Sequence, residues 1–233
     1  YITPLVFMIV LGTVVLNATT ARLFAKIVGV FLKTSNGILI VGASKPSRLI
    51  ARFLKDKGKR VVLIDTNKKF IEQALEEGLE AFNQNIYDEN LTDNIELNDV
   101  GYLIALTAND SINRHTLNSF SKDFGEHGSY KIASSIEAKI ATKKERESFF
   151  TPNDDFINLS EAYRENPYIN EVKITSVKEY KKILGLFAVE EKSIPLFIEK
   201  GEGLYLIAEF EKIKEDKEEC MLYYLGKRLV FQE

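Results

Sequence analysis

Between residues 37 and 134 the chain alternates short, wholly apolar runs with segments whose apolar residues recur every three or four positions. That alternation leaves few folds open. Residues 38–41 (Ile-Leu-Ile-Val) run into Gly42. Pro46 then stands where a first helical residue belongs, and Leu49, Ile50, Phe53 and Leu54 recur at helical spacing until Lys57-Gly58. Residues 61–64 are a second run, ended by Asp65 and followed by a helical pattern over 68–77 that Gly78 stops. Glu80-Ala81-Phe82 predicts a short third strand and 102–106 a fourth. Asn109 and Asp110 signal a helix over 111–124 that Gly125 closes, and 130–134 predicts a fifth strand. Runs apolar on both faces suit parallel strands, so the pattern predicts an α/β fold, a doubly wound parallel sheet of Rossmann type, over 36–141.

The flanks read differently. Residues 1–21 hold no charge, and at 1.5 Å per residue such a helix reaches about 31 Å, roughly one hydrocarbon thickness. Pro4 falls in its first turn, and Gly12, Thr13 and Asn17 are small or polar positions of the kind found between packed membrane helices. No basic residue precedes the apolar run, as a secretory signal would require. The reading is a membrane helix and juxtamembrane linker over 1–35; the competing reading is a buried helix of a soluble protein. Arg22, Lys26 and Lys33 place the chain beyond about residue 22 in the cytoplasm, on an inner or plasma membrane. Because the first residue is Tyr1, the expectation is a piece of a longer polypeptide with further segments upstream. Past 141 the composition shifts: Lys143 to Glu147 and Asn153-Asp154-Asp155 read as a polar linker or helix end, and 212–219 as a solvated turn or helix. Short β-branched or aromatic runs at 171–175, 195–198, 204–210 and 221–225 predict a small, mainly strand subdomain over 142–233.

Charge and cysteine content narrow the function. The 233 residues carry 31 Lys plus Arg against 34 Asp plus Glu, a net charge of -3, with no basic cluster. Binding nucleic acid through its phosphates needs such a surplus, so no nucleic acid partner is expected. Cys220 is alone, which excludes an intramolecular disulfide and any zinc site built of several cysteines. His115 and His127 lack an evident third ligand, and Tyr223 and Lys227 match a reductase spacing outside the predicted nucleotide domain, so no metal site or catalytic residue is assigned.

The strongest candidate site is the first strand-to-helix turn, Gly42-Ala43-Ser44-Lys45-Pro46-Ser47. In a dinucleotide fold this turn aims amides and the positive helix end at a pyrophosphate. Of the G-x-G-x-x-G pattern only Gly42 is present, with Ser44 and Ser47 in the other glycine places, and Pro46 removes one amide. Asp65, 23 residues beyond Gly42 and followed by Thr66 and Asn67, stands where a carboxylate accepts from a ribose, although these residue types also cap helices. An acid there favours NAD-like or adenine nucleotides over NADP. The segment from Thr107 to Asn113 comes after the fourth strand, across the switch point, and Asn83-Gln84-Asn85 comes after the third. Either could complete the site or simply cap.

Taken together, Ile38 to Gly42, Val62 to Asn67 and Leu106 to Asn113 resemble the RCK/KTN (TrkA N-terminal) nucleotide-binding domain, with coverage from about 36 to 140. The resemblance implies a cytoplasmic regulator of monovalent-cation channels or transporters that pairs as a homodimer and binds NAD(H), ATP or a related nucleotide. It implies ligand roles for Gly42, Ser44, Asp65, Asn85, Thr107 and Asn113; with Ala43, Ser47 and Thr66 beside them these are the expected cofactor-binding residues. Ser44, Ser47 and Asn83-Gln84-Asn85 depart from its glycine and Gly-Asp patterns. Residues 6–15 look like the last membrane helix of a sodium (potassium)/proton antiporter, which would make the upstream antiporter domain a partner. The expectation is a regulatory, non-enzymatic tail in which a ligand controls transport. A membrane-anchored NAD-dependent oxidoreductase and an assembly module without ligand are the alternatives.

Overall fold

The structure, a computed structural model, describes residues 2–28, 35–88, 91, 95–134, 155–190, 193–201, 203–207 and 219–229. Lys33, the polar run 143–147 and the stretch 212–218 lie outside the described residues. The chain divides into two compact units, Tyr1–Ser35 and Asn36–Glu233.

The first unit is helix α1 (Ile2–Val28). Its span Ile2–Ala21 is long and apolar enough to cross a membrane, and none of it is buried. Phe7, Met8, Leu11 and Leu16 are all exposed. The hydroxyls inside the span turn back on the helix: Thr13 donates to the Val10 carbonyl at 2.9 Å, Thr19 to Val15 at 2.8 Å and Thr20 to Leu16 at 2.7 Å. A helix whose backbone and hydroxyls are satisfied internally is the form that an apolar solvent demands.

The second unit opens with β1 (Gly37–Val41), α2 (Lys45–Asp56), β2 (Val61–Asp65), α3 (Lys68–Glu76), β3 (Glu80–Asn83), β4 (Val100–Ala105), α4 (Asp110–Phe124) and β5 (Gly128–Lys131). All strands pair in parallel in the order β3-β2-β1-β4-β5, a Rossmann-like sheet with helices on its faces. The apolar runs of β1 and β2 alternate between two cores. Ile38, Ile40 and Leu63 face α2 and α3, while Leu39, Val41, Val62 and Ile64 face a cluster containing Phe124 of α4. Arg60, at the foot of β2, is bidentate to Glu80 at 3.0 and 2.6 Å and pairs with Asp99, tying β3 and β4 to it. The fifth strand starts two residues before its predicted position and ends at Lys131. The register that sets Gly128 opposite Tyr102 and Lys131 opposite Ala105 fixes it there.

The C-terminal part carries α5 (Phe156–Glu165), β6 (Ile169–Ile174), α6 (Val177–Glu190), β7 (Ile194–Lys200), β8 (Gly203–Leu206) and β9 (Cys220–Leu225). Its strands form an antiparallel sheet in the order β6-β9-β7-β8. The runs predicted at 171–175, 195–198 and 221–225 fall on strands, and that at 204–210 is strand through Leu206, with 208–210 outside the described residues; α5 and α6 are additions to a segment read as mainly strand. Along β9 the residues alternate as a two-sided sheet requires: Tyr223 and Leu225 join the core that contains α2, while Leu222 and Tyr224 pack with Tyr180, Ile183 and Phe187 of α6. Phe53 of α2 stacks on Phe197 at 5.3 Å and meets Tyr223 at 4.8 Å. Beside these rings, Lys57 Nζ lies 2.8 Å from Glu199 Oε2 and 2.7 Å from the Tyr223 hydroxyl, which itself donates to Glu199. The hydrogen bond from Lys57, then that from Tyr223, hold the Glu199 carboxyl below the ordinary glutamate range. Burial opposes the Lys57 charge, but its bonds to Glu199 and Tyr223 raise its pKa on balance, and burial followed by the bond to Glu199 raises that of Tyr223.

Candidate functional site

The strand register assembles the site. Val41 lies opposite Ile64 on one side and Ala105 on the other, so the chain leaves β1, β2 and β4 at one level, where the strand order reverses on either side of β1. Gly42 leaves β1 with φ +110, its N–H donating to the Ile64 carbonyl at 2.8 Å. A Cβ on Gly42 would meet the Leu106 carbonyl oxygen at 2.5 Å and Thr107 Cγ2 at 3.1 Å. The position therefore needs glycine for both backbone angle and space.

The next residue, Ala43, is held on both sides, through the peptide before it and the peptide after it. The Ala43 N–H donates to Asp65 Oδ2 at 2.7 Å, and the Ala43 carbonyl accepts from Arg48 Nη1 at 2.9 Å. Arg48 is buried and also bonds Glu77 Oε1 at 3.0 Å. A trans peptide carries its C=O and N–H on opposite edges, so pinning the Ala43 carbonyl turns the Ser44 N–H away from Arg48. Ser44 is the N-cap of α2, its Oγ 2.8 Å from that of Ser47. The first amides of a helix have no intrahelical acceptor, so Lys45 and its neighbour Ser44 offer N–H groups and the positive helix end to an anion, with Pro46 subtracting one.

Asp65 serves two purposes locally. Besides Ala43 it accepts from the Asn67 N–H through Oδ1 at 2.8 Å, while Asn67 caps α3 by accepting from Lys69. Each carboxylate oxygen keeps a further acceptor position, so the turn-stabilising role leaves room for a ligand hydroxyl.

These elements border a cleft of about 720 Å³, within the usual range for small-molecule sites. Gly42, Ser44, Lys45 and Pro46 line it from the first turn, Asp65 and Phe70 from β2 and α3, and Leu106, Thr107 and Ala108 from beyond β4. Helix α5 supplies the remaining wall with Phe156, Ser160, Tyr163 and Arg164.

Of the residues expected from sequence, Gly42, Ser44, Asp65 and Thr107 come together at this cleft. Ala43 and Ser47 are buried behind it, and Thr66 is exposed at the start of the β2–α3 turn. Asn85 is exposed, accepting from the Tyr87 N–H at 3.1 Å. Asn113 is buried; its Oδ1 accepts from the Thr107 N–H at 3.1 Å and hydroxyl at 2.7 Å, and its Nδ2 donates to the Thr107 carbonyl at 2.9 Å. Its side chain thus shapes the Thr107 loop from behind. His115 stacks on Tyr87 at 4.2 Å, and His127 lies 5.5 Å from Tyr102. The α5 wall was missed because Asp155 reads as linker, although its carboxylate caps α5 through the Asn158 N–H at 2.9 Å.

Residues 38–149 match the TrkA-N domain family. A search of curated proteins found no match. Among solved structures, N5-carboxyaminoimidazole synthetase from Staphylococcus aureus is similar at 14% identity over 82% of this chain and 47% of that one, with a TM-score of 0.33. Its complex with ADP matches at 13% identity over 84% and 48%, with a TM-score of 0.32. The chain spans about half the length of these enzymes.

Proposed function

We propose, taking residues 38–149 as the TrkA-N domain they match, that the chain is the regulatory portion of a sodium or potassium/proton antiporter and that a nucleotide bound in the cleft controls transport. TrkA-N domains are typical of the regulatory parts of potassium and other cation transport systems and in general bind NAD(H). The observation that carries the reading is the cleft: an anion-accepting helix start at Ser44 and Lys45 and a carboxylate at Asp65 face the same 720 Å³ space. NAD(H) or an adenine nucleotide is the ligand, its phosphates at the start of α2 and its ribose toward Asp65. In this reading α1 is the last membrane helix, in an inner or plasma membrane, and Asn36–Glu233 is cytoplasmic and pairs as a homodimer. The ligand acts by binding one dimer state more tightly than the other. The reading assigns no catalytic residue.

The test is calorimetric titration of the full chain in detergent micelles with NAD, NADH, ATP, ADP and AMP, repeated on Ser44→Trp, which fills the cleft mouth while leaving the Asp65 hydrogen bonds in place. Saturable binding that disappears in the variant supports the reading. Absence of binding by all five nucleotides refutes it.

A further inference from the structure

Helix α5 lies outside the matched domain yet forms one side of the cleft. Its residues divide by helical spacing. Leu159 and Ala162, three apart, are fully buried in the core they share with Ala51 and Leu54 of α2. Phe156, Ser160, Tyr163 and Arg164 stand at intervals of four, seven and eight, and this face lines the cleft. Phe156 and Tyr163 also pack at the edge of that core, so packing accounts for them, but it gives no reason for the exposed guanidinium of Arg164 at the cleft.

Among the described side chains, Arg164 and Arg228 are the arginines outside the ion pairs, and of the two Arg164 lines the cleft. Arg48, Arg52, Arg60 and Arg114 each contact a carboxylate at 3.0 Å or less. Arg164 has no carboxylate partner among the described residues, and across the cleft the other lining cation is Lys45, at the start of α2. The lining thus holds two cations against one carboxylate, Asp65, which already accepts two backbone N–H groups. A single phosphate is provided for by the α2 amides and Lys45. A second cation on the facing wall, in the planar form that grips phosphate in two places, calls for a second anionic group on the same ligand.

Resting on the nucleotide reading of the cleft, the geometry points to Arg164 as a specificity-determining residue that binds the second phosphate, so that the site selects nucleotides with two or more phosphates over monophosphates. The ligand then bridges the parallel sheet and α5, the helix that leads into the C-terminal sheet.

The experiment is titration of the full chain in detergent with ADP, AMP and adenosine, on the wild type, Arg164→Gln and Arg164→Lys, with thermal unfolding of each. Arg164 is exposed, so the variants are expected to unfold at the wild-type temperature. Wild type binding ADP at least about tenfold more tightly than AMP, with Arg164→Gln reducing ADP affinity about tenfold or more and AMP affinity less than twofold, is the expected result. Arg164→Lys falls between. Equal ADP affinity in wild type and Arg164→Gln overturns the role of Arg164 while leaving the cleft's nucleotide binding intact. Equal losses for ADP and AMP overturn the assignment to the second phosphate. No binding of either nucleotide by the wild type overturns the proposal together with the reading beneath it.

Discussion

Replacing Gly42 by alanine tests the strand register and the turn at once, and its cost has two separable parts. The first is conformational: at φ +110 an L-residue is disfavoured by about 1–2 kcal/mol. The second is steric, because the new Cβ would lie 2.5 Å from the Leu106 carbonyl oxygen and 3.0 Å from its carbon. Those are backbone atoms of the segment that pairs with β1 through Leu106 N–H to the Val41 carbonyl at 2.8 Å, so they cannot swing aside as a side chain would. Overpacking of this kind costs about 1–3 kcal/mol, for a total near 2–5 kcal/mol. Gly58 supplies the control: its φ is +78, but a Cβ there meets nothing within 4 Å, so Gly58→Ala isolates the conformational part at about 1 kcal/mol. Urea unfolding monitored by far-ultraviolet circular dichroism, in the same detergent for all three proteins, reads the difference directly. If Gly42→Ala costs no more than Gly58→Ala, the close approach of the β1 and β4 exits is wrong, and with it the placement of the turn between Asp65 and Thr107.

Arg48→Met, which keeps the buried stem but removes the donors to Ala43 and Glu77, is expected to destabilise by about 1–3 kcal/mol in the same unfolding assay. It should also weaken nucleotide binding by calorimetry, since the Ala43 carbonyl is no longer pinned. Asn113→Ala leaves the part-buried Thr107 N–H without its side-chain acceptor and should cost about 1 kcal/mol, and Asn113→Asp, which keeps the acceptor oxygen, should cost less. The Lys57–Glu199–Tyr223 cluster gives a pH signature. Because Glu199 is depressed in the folded state, its contribution is present above the ordinary value of 4.5 and fades as pH falls through the folded one. Because Lys57 is raised, its contribution is present below the ordinary 10.5 and is lost as pH rises through the folded value. Lys57→Met should therefore destabilise by about 1 kcal/mol at pH 7.5 and by clearly less at pH 3, with urea midpoints as the measurement; an equal loss at both values would refute the ion-pair account.

The parallel sheet was legible because its strands are buried on both faces and each helix announces its own start: Ser44, Asn67 and Asn109 all cap the helices they precede. Asp65 was legible for the same reason, lying at a strand end at a fixed distance from Gly42. What the sequence conceals is which polar residue looks into the cleft and which looks away. Asn113 and Thr107 are six residues apart and equally polar, yet the turn before α4 spends the Asn113 amide entirely on the Thr107 backbone and hydroxyl and leaves Thr107 at the cleft. The α5 wall was harder still. Its short apolar stripe, Leu159 and Ala162, gives a weak helical period, and it comes to the cleft because that stripe joins the core of α2 and because Ala133, just past β5, bridges to Asp155 at the start of α5. That bridge joins residues 22 apart, across a segment whose sequence reads as polar linker. Local periodicity carries no information about such a contact, and a site with one wall set by it is therefore only half visible from local pattern, however clear its other wall.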